Sequence, residues 1–419
     1  MKKNALIVLG VLLMATLACN LLAGSPGKPS PIAPPPTVKA SQAVTKQAPD
    51  RTATQKQADK PTETFVSSPT TVKPTAAPTA TQPAALGAPV VLANRKMDPA
   101  QLAVVDAATG KVKKSFSAVG MIEAAPAYVT ADAVFYLDGG FKIVRWAGFD
   151  GAAGELAFIN PGGELFQGFM LPSPDGKKIA WAVIADQNAD SNHNQLMVAN
   201  KDGSGLAVLV DETSNPPVAW TPIGWSPDGQ WLYFASQPYG IGGYILFNGI
   251  LDVRRAPVQG GNWEIVLPPL PMMGDAALSP DGLTLAYIYN IQGQNPDDFS
   301  MELVLRDTVS GDYKNLKLSA GYLQSGAIVW SPDSQSLVLA LAVGNYDTEA
   351  YSLLKVDAQT FTARMLLTKD NRLLEPVTWQ TAGTLWLRDV NGGAWMMELA
   401  SGNLTQAPGG QNVLPNGWH

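Results

Sequence analysis

The stretch that decides the fold is Gly224-Trp225-Ser226-Pro227-Asp228-Gly229-Gln230-Trp231-Leu232-Tyr233-Phe234-Ala235-Ser236. Trp225 ends one strand-like run, Ser226 to Gly229 form a turn, and Trp231 opens a second run. Pro227 presets φ, Asp228 can bond its own backbone, and Gly229 accepts a positive φ without steric cost. The unit recurs as Ser173-Pro174-Asp175-Gly176, Ser279-Pro280-Asp281-Gly282 and Ser331-Pro332-Asp333-Ser334, with successive serines 53, 53 and 52 residues apart. A fixed period of this size is the mark of a repeat architecture.

Outward from these turns the same parts return along the chain. Apolar second strands are expected at Val90–Arg95, Val134–Asp138, Ile179–Ile184, Leu232–Ser236, Leu285–Asn290, Leu337–Ala342 and Leu385–Arg388. Each is followed by a polar hairpin turn, at Ala107–Gly110, Asp150–Gly154, Lys201–Gly205, Val258–Gly261, Val309–Asp312, Ala358–Phe361 and Ala400–Gly402. The runs are short, β-branched and aromatic, and they lack the 3.6-residue period of helices. Units of four strands recurring every ~40–50 residues predict β-propeller blades.

Counting first strands sharpens the expectation. Six end near Tyr128, Leu171, Trp225, Leu278, Trp330 and Trp379, and two of their turns (Val129–Asp132 and Gln380–Gly383) keep the spacing but not the letters. The strands over Val90–Ser117 have no first strand before them. Gln411–Trp418 supplies one, because Pro415-Asn416-Gly417-Trp418 matches Pro222-Ile223-Gly224-Trp225 in register. The prediction is an all-β, seven-bladed propeller closed by the C-terminal strand joining the N-terminal blade; a six-bladed ring with an N-terminal flap is the alternative. Trp225, Trp330, Trp379 and Trp418 are expected to pack between neighbouring blades.

The turn and strand letters resemble the TolB-type propeller repeat, a WD-like family, over residues 88–419. The resemblance implies a ring of antiparallel sheets around a central channel, used in that family chiefly as a binding scaffold. It does not imply a particular partner, because propellers host binding modules and enzymes alike.

Ahead of the repeats the chain changes character. Residues 1–18 read as a signal peptide: Lys2 and Lys3, then an apolar run from Ala5 to Ala18, too short to span a membrane comfortably. Ala15-Thr16-Leu17-Ala18-Cys19 resembles the lipobox of bacterial lipoproteins, with Thr16 where leucine is usual. That resemblance implies cleavage before Cys19, the one cysteine of the chain, and lipidation of its sulfur. The expectation is an extracytoplasmic protein anchored by lipid to a bacterial membrane, with no disulfide to support its fold. Residues 19–87 follow as a linker rich in Pro, Thr and Ala. They hold too little apolar surface to offset the entropy of ordering and are expected to be disordered, with a reach on the order of 100 Å.

Charge narrows the partners. The whole chain carries −6, residues 1–19 carry +2 and residues 20–87 carry +4, which leaves −12 on residues 88–419. So acidic a domain has no use for nucleic acid, which wants clustered Lys and Arg. Catalytic patterns are scarce. Only His193 and His419 are histidines, which leaves little for histidine-based zinc sites or Ser-His-Asp triads. No nucleophile elbow, Walker or dinucleotide motif appears.

Recognition is therefore expected on the loops between second and third strands, which open opposite the Ser-Pro-Asp-Gly turns. Four consecutive ones read as long: Asp186–Asn194, Gln237–Gly243, Gln292–Ser300 and Gly344–Ala350. They and the residues beside them place Tyr239, Tyr244, Asp297, Asp298, Phe299, Tyr346, Asp347 and Glu349 on one acidic, aromatic rim. The expected partner is an envelope protein or glycan, bound by a monomer without a cofactor. Asp186, Asn188 and Asp190 alternate like the first half of a calcium loop, so a structural Ca²⁺ is a further expectation. Ser191 and Met197 stand where an EF-hand needs glycine and glutamate. The competing functional reading is an extracytoplasmic carbohydrate-active propeller enzyme, a lyase or hydrolase, whose carboxylates would come from different blades.

Overall fold

The computed structural model describes residues 89–415, except 107–110, 123–125, 140–142, 160–164, 188–189, 239–248, 270–272, 293–298, 319–320, 323, 344–347 and 408–410. The signal peptide, Cys19 and the linker lie outside the described residues. Within them every regular element is a strand.

The strands fall into seven four-stranded antiparallel sheets. The first three strands are β1 (Val90–Asn94), β2 (Ala100–Val105) and β3 (Val112–Ala118). Blade 2 holds β4 (Ala127–Val129), β5 (Ala133–Leu137), β6 (Val144–Gly148) and β7 (Ala153–Glu155). Blade 3 holds β8 (Leu165–Pro172), β9 (Lys178–Gln187), β10 (Asn192–Asn200) and β11 (Ala207–Ser214). Blade 4 holds β12 (Val218–Trp225), β13 (Trp231–Pro238), β14 (Asp252–Pro257) and β15 (Glu264–Leu267). Blade 5 holds β16 (Met273–Leu278), β17 (Thr284–Gln292), β18 (Phe299–Asp307) and β19 (Tyr313–Lys317). Blade 6 holds β20 (Gln324–Trp330), β21 (Ser336–Val343), β22 (Ala350–Asp357) and β23 (Ala363–Asp370). Blade 7 holds β24 (Glu375–Thr381), β25 (Thr384–Arg388), β26 (Ala394–Glu398) and β27 (Leu404–Gln406). The last strand, β28 (Asn412–Val413), pairs with β1 through Leu92–Val413 and Ala93–Asn412 and completes blade 1.

Packing shows that the ring is closed. Seven hydrophobic clusters occur among the described residues, one at each seam between neighbouring blades. An open row of seven sheets would have one seam fewer. The closing seam brings Val90, Leu92 and Val105 of blade 1 against Val377, Trp386 and Ala394 of blade 7. The ring is thus seven-bladed, and the six-bladed alternative is set aside.

Strand β21 shows how sequence produces this packing. Its side chains alternate between faces: Leu337, Leu339 and Leu341 enter the blade 5–6 seam, while Val338, Ala340 and Ala342 enter the blade 6–7 seam. A strand covered on both faces has no solvent side, so it reads as an unbroken apolar run, as do the other second strands. Trp330 and Trp379 bolt the seams with a bond as well as area: their indole N–H groups donate to the carbonyls of Ala277 and Val329 in the preceding blade, at 3.1 and 3.2 Å.

The Ser-Pro-Asp-Gly turns spend their polar groups on themselves. In the turn at Ser226 the hydroxyl donates to Asp228 at 2.6 Å and accepts from the Trp231 amide at 2.8 Å, while Asp228 accepts from the Gln230 amide at 3.0 Å. The turns at Ser173, Ser279 and Ser331 repeat the scheme. The degenerate turn of blade 2 retains it in outline, with Thr130 for serine and Asp132 for aspartate.

Candidate binding face

Strand direction alternates, so the connections between second and third strands open on one face and the Ser-Pro-Asp-Gly turns on the other. On the turn face neighbouring turns touch. The Ala131 amide donates to the Pro174 carbonyl at 3.1 Å, and the Asp281 amide donates to the Ser334 hydroxyl at the same distance. A cleft of about 420 Å³ on this face is lined by Asp132, Trp146, Asp150 and Lys201. Its one cation is already engaged, with the Lys201 ammonium 3.3 Å from the centre of the Trp146 ring. Burial lowers the Lys201 pKa, and the Asp132 and Asp150 carboxylates work against that shift.

The opposite face differs from its expected shape. Strands β9 and β10 continue to Gln187 and from Asn192, so Asp186–Asn194 is mostly a β-ladder rather than a loop, with Asp186 opposite His193. The reason is that its polar residues find partners in the sheet. Asn192 accepts from the Val218 amide at 3.1 Å and donates back to the Val218 carbonyl at 2.7 Å, tying blade 3 to blade 4. Strands β17 and β18 likewise pair out to Gln292–Phe299. The connection that stands out in length is 239–251 in blade 4, between β13 and β14.

Of the expected rim residues, Tyr239, Tyr244, Asp297, Asp298, Tyr346 and Asp347 lie outside the described residues. Phe299 opens β18, and its side chain is likewise outside. Glu349 is described, and it is buried, at 8% exposure. For the calcium expectation, Asn188 and the Asp186 side chain lie outside the described residues, while Asp190 is exposed. Among the described residues no group of three or more His, Cys, Asp or Glu is placed to hold a metal.

Several carboxylates on this face come with arginines, whereas Asp211 pairs with His193 at 2.5 Å and Asp389 accepts from the Trp395 indole at 2.9 Å. At the top of blade 4, Arg254 reaches Asp252 at 3.0 Å and Glu212 of blade 3 at 3.5 Å. Its guanidinium lies between the rings of Trp220 and Trp263, at 4.6 and 4.1 Å. Asp252 also accepts from the Ser236 hydroxyl at 2.8 Å, and Glu212 from the Trp263 indole at 3.0 Å. Such a fully partnered, stacked arginine is a clamp between blades. In the connection from blade 6 to blade 7, Asp370 holds Arg372 at 2.5 Å, and in blade 7 Glu375 holds Arg388 at 2.8 Å. The Arg372 bond outweighs burial and holds the Asp370 carboxyl below the usual carboxylate range.

Glu349 has no arginine in the ion pairs among the described residues either. Its carboxylate is buried, and the Tyr351 hydroxyl is its side-chain hydrogen-bond partner. The Gln324 side-chain oxygen is buried without a hydrogen-bond partner. Gln324, Ala342 and Tyr351 share one rung of blade 6 and therefore one side of the sheet. Burial, followed by the Glu349 and Glu375 charges, raises the Tyr351 hydroxyl well above the usual tyrosine range, so it stays protonated. Gln324 carries no motif that singles it out in sequence. Its position as the first residue of the first strand of blade 6 was the available signal.

No protein-family model matches the chain, and no curated protein matches it. Solved structures do. Oligogalacturonate lyase from Vibrio parahaemolyticus is 10% identical, covering 79% of this chain and 88% of that one, with a TM-score of 0.50. TolB from Acinetobacter baumannii is 15% identical over 67% of this chain, with a TM-score of 0.42, and the match spans 63% of that protein's length. A TolB from Agrobacterium tumefaciens, described as putative, is 12% identical over 67% of this chain and 89% of that one, with a TM-score of 0.40. The likeness to the lyase shows a shared fold alone.

Proposed function

We propose that this protein is a lipid-anchored, extracytoplasmic binding protein of the bacterial cell envelope. In this reading Cys19 carries the lipid, residues 19–87 act as a tether, and a monomeric propeller captures a protein partner on the face opposite its Ser-Pro-Asp-Gly turns. The observation that supports it most is the asymmetry of the two faces. One is an interlocked ring of turns whose polar groups are consumed internally. The other carries the variable connections, including 239–251. Rigid scaffolds place recognition on such connections.

The test combines in-cell cross-linking with a triple variant, Tyr239→Ala, Asp297→Ala and Asp347→Ala, in the full chain. Loss of one specific cross-linked partner at unchanged melting temperature supports the reading. Retained capture overturns it. Turnover of an oligosaccharide by the purified protein overturns it in favour of a carbohydrate-active enzyme.

A further inference from the structure

The repeat supplies its own reference for what a blade position needs. In blades 2 to 7 the residue after the third strand donates its backbone N–H to the carbonyl of the residue before the second strand. These residues are Phe149, Lys201, Val258, Thr308, Ala358 and Leu399. Phe149, Val258, Ala358 and Leu399 pack in or against the seam clusters. Thr308 turns its hydroxyl back to the Gly282 carbonyl at 2.8 Å. Blade 3 departs from this pattern by placing a charge there.

That charge crosses to blade 2. The Lys201 ammonium lies 3.3 Å from the centre of the Trp146 ring and 5.4 Å from that of Phe135. The rings cover one side of a group that has three donors. Lys201 also lines the cleft of about 420 Å³ on the turn face, together with Asp132 and Asp150 of blade 2. Both aspartates act on the ammonium through their charge. Yet Lys201 belongs to none of the ion pairs among the described residues. Asp132 accepts from the Thr130 hydroxyl at 3.3 Å through Oδ1, and Asp150 from the Ala152 amide at 2.9 Å through Oδ1. The second oxygen of each is open to whatever enters the cleft.

Donors and acceptors that share a cleft without pairing suit a ligand that has both. A carboxylate only accepts and an ammonium only donates, whereas a hydroxyl does either. A cationic ligand would be repelled by Lys201, and an anionic one by the two aspartates. An aromatic ligand would lack a platform: Lys201 lies on the Trp146 ring, and a Cβ at Gly154 would stand 2.8 Å from the indole nitrogen. The volume is at the small end of those that hold organic ligands.

We propose that the cleft between blades 2 and 3 binds a neutral, hydroxyl-rich ligand the size of one sugar unit. Lys201 donates to a hydroxyl oxygen, and Asp132 and Asp150 accept from hydroxyl protons. The site lies on the face opposite the proposed partner-binding connections and does not depend on that reading.

The test uses the full chain and saturation-transfer NMR. The neutral probes are methyl α-D-glucoside, methyl β-D-galactoside and myo-inositol; D-galacturonate and D-glucosamine are charged comparisons of like size. A neutral probe is expected to bind saturably with Kd on the order of 1–10 mM, as a few hydrogen bonds to charged groups imply, and each charged probe more weakly. Lys201→Met keeps the apolar stem and loses the donors, so it should weaken binding about tenfold. Its melting temperature should not fall, because sister blades carry apolar side chains at this position. Asp150→Asn, which can still accept from the Ala152 amide, should weaken binding at unchanged melting temperature. No saturable binding of any neutral probe, tighter binding of a charged probe than of every neutral one, or unchanged binding in Lys201→Met would each overturn the site. A fall in melting temperature of Lys201→Met with binding unchanged would make Lys201 a packing residue only.

Discussion

The Ser334 hydroxyl accepts a hydrogen bond from the backbone amide of Asp281, 3.1 Å away in the turn of the preceding blade. Ser334 stands where three sister turns have glycine, and it holds φ at +59°. A side chain in this region costs roughly 1–2 kcal/mol, and the bridge to blade 5 offsets about 1 kcal/mol of it. Ser334→Ala keeps the strain and loses the bridge, so it should destabilise by about 1 kcal/mol. Ser334→Gly loses both and should lie near wild type. Chemical denaturation of the two variants separates the terms.

The same contact between turns appears at Gly282 in another form. A Cβ there would stand 2.5 Å from the Pro227 ring, whereas at Gly229, with φ of similar size, it would meet nothing within 4 Å. Gly229→Ala should therefore show only the backbone penalty, roughly 1–2 kcal/mol. Gly282→Ala adds the clash and should cost about 1–3 kcal/mol more. Equal losses in the two variants would mean that the turns do not bear on one another.

How much of this was legible follows from what each feature depends on. The Ser-Pro-Asp-Gly turn is local: its bonds lie within six residues, so four residue types at fixed spacing report it wherever it occurs. The seven second strands and the C-terminal closure followed from the same count, because a blade lacking a first strand must obtain one elsewhere. The loops were harder. Asn192 and Asn194 look like loop residues, but Asn192 is bonded to Val218, 26 positions away. Arg254 meets Glu212 at a separation of 42 residues, and Glu349, expected on a binding rim, is buried. No window of sequence contains those neighbours.

Acid should unfold the ring through its turn aspartates. Asp307 accepts from the Ser310 and Val309 amides, and Asp357 from the Thr360 amide and hydroxyl and the Gln359 amide; in each case these bonds lower the carboxyl pKa. Asp175 is lowered too, since the Ser173 hydroxyl and Lys177 amide bonds outweigh its burial, which alone would raise it. A depressed folded-state pKa means that the unfolded chain binds protons first. The stability from these groups is full above the ordinary aspartate value of about 3.9 and is lost as pH falls through the lower folded values. The melting temperature should be insensitive to these groups above about pH 5 and fall below about pH 4. Asp307→Asn should reduce the slope of that fall, and an unchanged slope would assign the acid transition to other groups.

Closure of the ring rests on a very short strand. Two residue pairs join β28 to β1, and the Leu414 amide adds a bond to the Val91 carbonyl at 3.0 Å. Val413 packs in the blade 7–1 seam and Leu414 in the blade 1–2 seam, both buried. Ending the chain after Ala407 removes this strand, strips cover from two seams and leaves β1 as an unpaired edge. Burying two such side chains contributes about 1.5–3 kcal/mol each, and an exposed edge invites pairing between chains. The truncated protein should unfold at lower denaturant and self-associate in light scattering. Leu414→Ala, which keeps the strand, should lose about 2–5 kcal/mol and scatter light like wild type. If the truncated chain instead melts and scatters light like wild type, β28 is not what closes the ring.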